Sequence, residues 1–105
     1  MKVPHALMLT AGLLLANTAL ADDGAALLKK YSCGACHHAT NKTVGPSLKA
    51  IADKYKGDAG AAEKLAKKVR AGGAGAWGTM PMPATPAKAS DDDIKVMVTA
   101  ILAAK

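Results

Sequence analysis

The sequence predicts an all-α domain. Four segments carry apolar residues at the three- and four-residue spacing of an amphipathic helix, and no segment of useful length alternates apolar and polar residues as a half-buried strand does. The chain has no Phe, and its aromatic residues are Tyr31, Tyr55 and Trp77. So small a domain is marginally stable without help, so a bound group is expected to fill part of its core.

The first two predicted helices lie on either side of the cysteine motif. Residues 23–32 form the first helix, which leads directly to Cys33, and residues 47–56 form the second, which ends at Gly57. The apolar residues that give these segments their helical spacing are Leu27, Leu28, Tyr31, Leu48, Ile51, Ala52 and Tyr55.

The other two helices are predicted over residues 61–71 and from residue 91 onwards. Gly72 and Gly73 end the third helix. Ser90 can cap the fourth, and the three aspartates behind it suit the positive end of a helix dipole. The apolar stripe of the fourth helix consists of Ile94, Met97, Val98, Ile101 and Leu102.

Two segments are predicted to be irregular. Residues 38–46 are polar and end in a Gly-Pro pair, and residues 72–89 contain so many glycines and prolines that no regular element is expected there. Long loops in small domains are usually functional or disordered. The Trp and two Met in the second segment argue against disorder.

The first 21 residues are predicted to be a secretory signal peptide. Lys2 precedes an apolar run, and Ala19-Leu20-Ala21 gives a small-residue cleavage site, so the domain is expected to span residues 22–105. A membrane anchor is the alternative, but the apolar run is shorter than the ~20 residues of a spanning helix. Export predicts an oxidising compartment, the bacterial periplasm.

The formal net charge of +6 predicts a particular kind of partner. A basic exported domain favours an acidic docking surface. Nucleic acid is a poor candidate, because no aromatic residues are interleaved with the lysines. We expect a monomer that binds its partners transiently.

The segment Cys33-Gly-Ala-Cys-His-His38 concentrates four ligand-grade side chains. A disulfide across so short a loop would stabilise the chain little. A thioredoxin-like dithiol follows a β-strand, whereas here a helix comes first. A structural zinc site needs four ligands that can surround the ion, and these four are too close together in sequence.

Covalent haem attachment explains this segment best. In C-x-x-C-H, Cys33 and Cys36 add to the two vinyl groups of the porphyrin and His37 binds the iron. His38 is expected to be a solvated neighbour. A carbonyl must orient the His37 ring, and the turn at Gly45-Pro46 is a candidate.

A thioether is the expected ligand on the other side of the iron. Met97 lies on an apolar helix stripe, where core packing is its default role. Met80 and Met82 lie in the irregular segment, and prolines on both sides of Met82 restrict its backbone. Met82 is therefore the favoured ligand.

Four motifs in this order resemble those of small class I bacterial cytochromes c, the short-chain electron carriers of the periplasm. They are Cys33-Gly-Ala-Cys-His37, Val44-Gly-Pro46, Trp77-Gly78 and Pro81-Met-Pro83. The resemblance covers residues 23–105. It implies a fold of four to five short helices around one covalently bound haem.

The resemblance also implies the role of each site residue. Cys33 and Cys36 carry the thioether bonds, His37 and Met82 are the axial ligands, and the Pro46 carbonyl accepts a hydrogen bond from His37. Trp77 resembles the residue whose indole N–H meets a haem propionate.

The chain departs from the family pattern at two positions. Thr85 stands near where the family often has an Asn that donates to the methionine sulfur. Ala100 stands where the last helix often has a Trp, which implies a thinner contact between the first and last helices.

The predicted function is one-electron transfer between respiratory redox partners, without enzymatic activity, because both axial positions of the iron are filled. Lysines near the attachment segment are the candidates for docking: Lys29, Lys30, Lys42 and Lys49. The alternatives are a haem sensor or a peroxidase-like enzyme with a labile Met82, and a metal-binding module without haem.

Overall fold

The structure, a computed structural model, describes residues 23–105. The predicted signal peptide and its cleavage site lie outside these residues. The elements in chain order are helix α1 (residues 23–30), a 3-10 turn (Cys33–Ala35), α2 (Leu48–Lys54), α3 (Ala61–Ala71), strands β1 (Gly73–Gly75) and β2 (Gly78–Met82), and α4 (Asp91–Leu102). Nowhere in this described part of the chain is a helix long and apolar enough to cross a membrane.

Helix α4 provides the largest fully buried side chains among residues 23–105. Ile94, Met97 and Val98 are each no more than 2% exposed. The Oγ atom of Ser90 accepts a hydrogen bond of 3.0 Å from the backbone N–H of Asp93, so the predicted cap is confirmed. Met97 is a core residue, as its place on the apolar stripe predicts.

Helices α2 and α3 pack against this face of α4. Ile51 of α2 and Leu65 and Val69 of α3 complete the buried cluster, and the apolar side of α1 packs against it. The four predicted helices are confirmed, although α1 and α2 each end two residues before their predicted ends because the chain turns at residues 31 and 55.

Small residues form the contact between α1 and α4. Gly24 is buried, and a Cβ atom at this position would overlap the Cβ of Ala100 and lie 3.2 Å from the carbonyl oxygen of Val96. The absence of a side chain at Gly24 and the small side chain of Ala100 therefore let the two helices approach closely. At the end of α1, the Tyr31 hydroxyl donates to Asp93 Oδ2 at 3.2 Å, which joins the cysteine motif to α4.

The expectation that residues 72–89 contain no regular element was wrong. Strands β1 and β2 pair antiparallel, with Gly73 opposite Met82 and Gly75 opposite Gly78, and the register between the two pairs is irregular. Gly73, Gly75 and Gly78 all have positive φ angles, which glycine adopts without strain. Proline is tolerated on such an exposed edge, where no N–H is required for pairing.

We expect Gly24→Ala to weaken the fold, because its new methyl group would force α1 away from α4. Overpacking of this kind lowers the free energy of unfolding by about 1–3 kcal/mol. Denaturant unfolding of the haem-loaded protein measures the change. The control is Gly34→Ala, since Gly34 has no positive φ angle and a Cβ there would meet nothing within 4 Å. Equal stability of the two variants would contradict the role of this contact.

Candidate functional site

The two cysteines lie on one turn of 3-10 helix. The backbone N–H groups of Cys36 and His37 both donate to the carbonyl of Cys33, at 3.2 and 2.9 Å. Residues three apart in such a turn lie above one another, so both side chains emerge on the same side. Both thiols are free and half-buried, which rules out the disulfide reading for this conformation.

Burial also changes the chemistry of Cys33. It raises the pKa of the Cys33 thiol above its ordinary value, although a backbone hydrogen bond acts in the opposite direction. A protonated thiol is a poorer nucleophile than a thiolate. Reaction of Cys33 with oxidants in solution is therefore disfavoured.

The ring of His37 is fixed by the loop that follows it. Its Nδ1 atom lies 2.8 Å from the carbonyl oxygen of Pro46. A carbonyl can only accept, so Nδ1 carries the proton and donates, which makes Nε2 the nitrogen with a free lone pair. The carbonyl of Cys36 accepts from Gly45 N at 2.8 Å and from Thr43 Oγ1 at 2.9 Å, so the loop is tied to the motif at several points.

Gly45 makes this arrangement possible. A Cβ at this position would lie 2.7 Å from Cε1 of His37 and 3.0 Å from Nδ1. Any side chain here would therefore push the imidazole ring out of place.

These residues open onto an apolar cleft of about 1080 Å³, a volume that includes the part open to solvent. Its walls come from all four helices, the 3-10 turn, the loop after His37 and the hairpin. The apolar side chains that line it include Leu28, Val44, Leu48, Ile51, Leu65, Val69, Met97 and Ile101.

Two methionines of β2 line the cleft on the side of the hairpin. Met82 is partly buried and packs against the core cluster, whereas Met80 is 65% exposed. Residues two apart in a strand share a face, which explains why both reach the cleft. Of the two thioethers, that of Met82 is the more shielded from water.

Trp77 lies in the turn between β1 and β2. It lines the cleft and is 43% exposed. The Nζ atom of Lys54 lies 4.4 Å from the centre of the indole ring, and the same nitrogen donates to the Ala76 carbonyl at 2.9 Å. Lys54 thus holds both residues of the turn, through a cation–π contact and a hydrogen bond.

Lys68 also lines the cleft, although it was not among the predicted site residues. In the described part of the chain it is the one Lys, Arg, Asp or Glu among the residues that line the cleft. A signal for it exists in the sequence. Lys68 is three residues after Leu65 and directly precedes Val69, so it falls on the apolar stripe of α3. A lysine that served only as a solvated surface residue would be expected on the opposite face of the helix.

The other predicted residues lie outside the cleft. His38 is exposed, as expected of a solvated neighbour. The four candidate docking lysines are exposed and do not line the cleft, and Lys49 forms an ion pair of 2.8 Å with Asp53. Among residues 23–105, no three His, Cys, Asp or Glu side chains are grouped so that they could hold a metal ion, which leaves zinc without a site.

The donor set suits a covalently attached haem. Two thiols share one side of a turn, an imidazole has one nitrogen anchored and the other free, and a shielded thioether lies on the hairpin. The apolar cleft connects all of them. A family model described as cytochrome c matches residues 21–104.

The chain belongs to the cytochrome c family. Cytochrome c-551 of Pseudomonas aeruginosa is 41% identical over 104 residues, which cover 97% of this chain and 98% of the relative. Cytochrome c-552 of Nitrosomonas europaea is 46% identical over 93 residues, which cover 89% of this chain and 87% of the relative.

Solved structures agree with this assignment. The crystal structure of wild-type Nitrosomonas europaea cytochrome c552 matches with a TM-score of 0.71 at 46% identity and covers 77% of this chain and 99% of that one. A class 1 cytochrome from Sideroxydans lithotrophicus matches with a TM-score of 0.68 at 33% identity and covers 77% and 91%. The predicted class I cytochrome c fold is confirmed, although the hairpin of β1 and β2 was not predicted.

This cytochrome c is therefore a small electron-transfer protein rather than an enzyme, and its cofactor is covalently bound haem c. The remaining question is which residues hold the haem and set its properties.

We expect Gly45→Ala to disturb the His37 side of the cleft. The added methyl group would displace the imidazole ring and break its bond to Pro46, with a loss of about 1–3 kcal/mol in the free energy of unfolding. A changed ferric absorption spectrum should accompany the loss. Gly34→Ala is the matched control inside the cysteine motif, since a Cβ at Gly34 would meet nothing within 4 Å. A normal spectrum for Gly45→Ala would disprove the steric argument.

Proposed function

We propose that this cytochrome c is a periplasmic one-electron carrier in which Cys33 and Cys36 form the thioether bonds and His37 and Met82 bind the iron. The observation that carries the proposal is the contact of 2.8 Å between His37 Nδ1 and the Pro46 carbonyl. It fixes the tautomer that leaves Nε2 free for a metal, which is how metal-binding histidines are usually oriented.

The attachment roles are supported by local geometry. Haem attachment needs two thiols at a fixed separation with the imidazole directly behind them. The 3-10 turn holds Cys33 and Cys36 in this relation through bonds within the motif itself. The thiols therefore do not depend on distant packing for their relative positions.

Met82 is supported as the second axial ligand by burial. Its side chain packs against the core, and the backbone around it contacts Gly72, where a Cβ would overlap the Met82 carbonyl oxygen. Met80 lacks such packing and is largely exposed. A ligand held by its surroundings loses less entropy when it binds, which favours Met82.

When bound, haem c would take up one electron as its iron is reduced from ferric to ferrous and release it on reoxidation. The chain's part is to keep water out and to present neutral ligands. The apolar side chains of the cleft provide a low dielectric, which penalises the additional charge of the ferric state. Methionine and histidine ligation raises the reduction potential further, so a high potential is expected for this protein.

Trp77 and Lys68 are the proposed partners of the haem propionates. Both line the cleft, and each offers a donor to a carboxylate, the indole N–H in one case and an ammonium group in the other. Lys54 fixes the turn that carries Trp77. A carboxylate in an apolar cleft requires such donors, because an unpaired buried charge is costly.

The proposed partners are redox proteins with acidic docking surfaces. This protein would bind them transiently and as a monomer. The formal net charge of +6 supports this proposal. The residues exposed at the rim of the cleft include Val44 and Met80, so direct contact there would be apolar. The lysines would then act at longer range, through steering of the encounter.

We expect Met82→Ala to change the ferric absorption spectrum and to open the iron to external ligands. Because the shielded thioether is removed, the ferrous form should bind carbon monoxide under native conditions, and the reduction potential should fall. Absorption spectroscopy with and without carbon monoxide measures the effect. Met80→Ala is the control and should retain the parent spectrum and its resistance to carbon monoxide. An unchanged spectrum for Met82→Ala would refute the ligand assignment.

Ionic strength should affect the encounter with a partner that has an acidic docking surface. The Debye length shortens from about 10 Å at 0.1 M to 3 Å at 1 M salt, so steering by exposed lysines weakens. The second-order rate constant for electron transfer, measured by stopped-flow mixing, should fall as salt rises. A rate constant that does not depend on salt would remove steering from the proposal without affecting the ligand assignment.

A further inference from the structure

The hairpin that carries Met82 is weakly held by its own pairing. Strand β1 has three residues, all exposed, and two of them are glycines. An isolated two-stranded hairpin is marginally stable at best in water. The position of Met82 must therefore depend on contacts outside the hairpin.

The last turn of α3 provides the first of these contacts. At Gly72, a Cβ would overlap the carbonyl oxygen of Met82 and would lie 2.7 Å from the backbone nitrogen of Ala84. The backbone N–H of Thr85 donates to the carbonyl of Val69 at 3.1 Å. The chain from Met82 to Thr85 thus lies directly on the end of α3.

Arg70, in the same turn of α3, binds the chain just beyond this segment. Its Nη2 donates to the Ala89 carbonyl at 2.7 Å, and its Nη1 donates to the Pro86 carbonyl at 3.2 Å. These two carbonyls belong to one turn, since the Ala89 N–H donates to the Pro86 carbonyl at 3.0 Å. Ala89 is completely buried, so the turn is fixed to the domain at this point.

A third bond joins Arg70 Nη2 to Asp91 Oδ1 at 2.8 Å. The Asp91 side chain is 90% exposed, whereas that of Arg70 is 33% exposed. Exposed ion pairs contribute little because water and salt screen them. A hydrogen bond from a charged donor to a partly buried carbonyl is stronger, so the contact with Ala89 matters most, and the longer, exposed contact with Pro86 adds to it.

We propose that Arg70 is a positioning residue that keeps Met82 in the cleft by anchoring the turn at residues 86–89 to α3. This inference rests on the proposed role of Met82 as an axial ligand. Residues 83–85 are the short segment between Met82 and the anchored turn. The Thr85–Val69 bond holds this segment on α3, and the Arg70 contacts hold the turn that follows it, so loss of the Arg70 contacts would give Met82 more freedom to leave the cleft.

The test is competition between Met82 and added imidazole for the ferric iron of the haem-loaded protein. Arg70→Ala removes the guanidinium group and should increase the apparent affinity for imidazole about tenfold. The conformation with Met82 in the cleft would lack its hydrogen bonds to a charged donor, so imidazole would compete better for the iron. Arg70→Lys keeps the charge but cannot hold two carbonyls in the same planar geometry, so an intermediate affinity is expected. Asp91→Asn should leave the affinity near that of the parent.

A control separates positioning from general stability. Ala61→Gly changes the opposite end of α3 and should lower the denaturant midpoint without a change in imidazole affinity. The proposal is overturned if Arg70→Ala unfolds more easily but binds imidazole like the parent protein. If Arg70→Ala does not fold, Arg70→Lys decides the matter by the same criterion.

The outcome also distinguishes this inference from the assignment of Met82. If Met82→Ala leaves the ferric spectrum unchanged, the ligand assignment fails, whatever the Arg70 variants do. If Met82→Ala changes the spectrum and both Arg70 variants bind imidazole like the parent, the assignment stands and only the role of Arg70 is lost.

Discussion

The hydrogen bond between His37 Nδ1 and the Pro46 carbonyl is the constraint on which the rest of the site depends. To make it, the chain must return to the imidazole within one short loop. Gly45 permits the close approach, and its own N–H binds the Cys36 carbonyl. The loop then ends at Ser47, whose Oγ caps α2 and so fixes where that helix meets α4.

The two sides of the cleft are built on different principles. On the His37 side, backbone and side-chain hydrogen bonds between near neighbours hold the ring, so its geometry is largely local. On the Met82 side, a short glycine-rich hairpin depends on a distant helix for support. With His37 and Met82 as the proposed ligands, the Met82 side would be the more easily displaced, because fewer local contacts hold it.

Much of this arrangement could be predicted from the sequence, and the reasons for the rest are physical. The helices follow from their apolar spacing, and the cap at Ser90 follows from residue chemistry. The hairpin could not be predicted, since its strands lack alternation and are formed by glycines with positive φ. The contact between His37 and the turn at Gly45-Pro46 could be predicted because the two are only nine residues apart. Lys68 could have been predicted from its place on the apolar stripe of α3. Arg70 could not, because the carbonyl groups that it binds lie 16 and 19 residues further along the chain, and spacing within a helix does not reveal them.

The hydrogen bonds of the 3-10 turn lie within the cysteine motif, and this affects the order in which the site can form during folding. Cys33 and Cys36 depend on bonds within their own segment, whereas the cleft needs helices from both ends of the domain. In the proposed attachment through Cys33 and Cys36, the tethered cofactor would be present at a high effective concentration when the remaining walls form. Closure of the cleft then becomes an intramolecular search, whose entropic cost grows only slowly with the length of chain between His37 and Met82. With the cofactor attached to this turn as proposed, folding of the domain around it would not require a separate association of haem with the polypeptide.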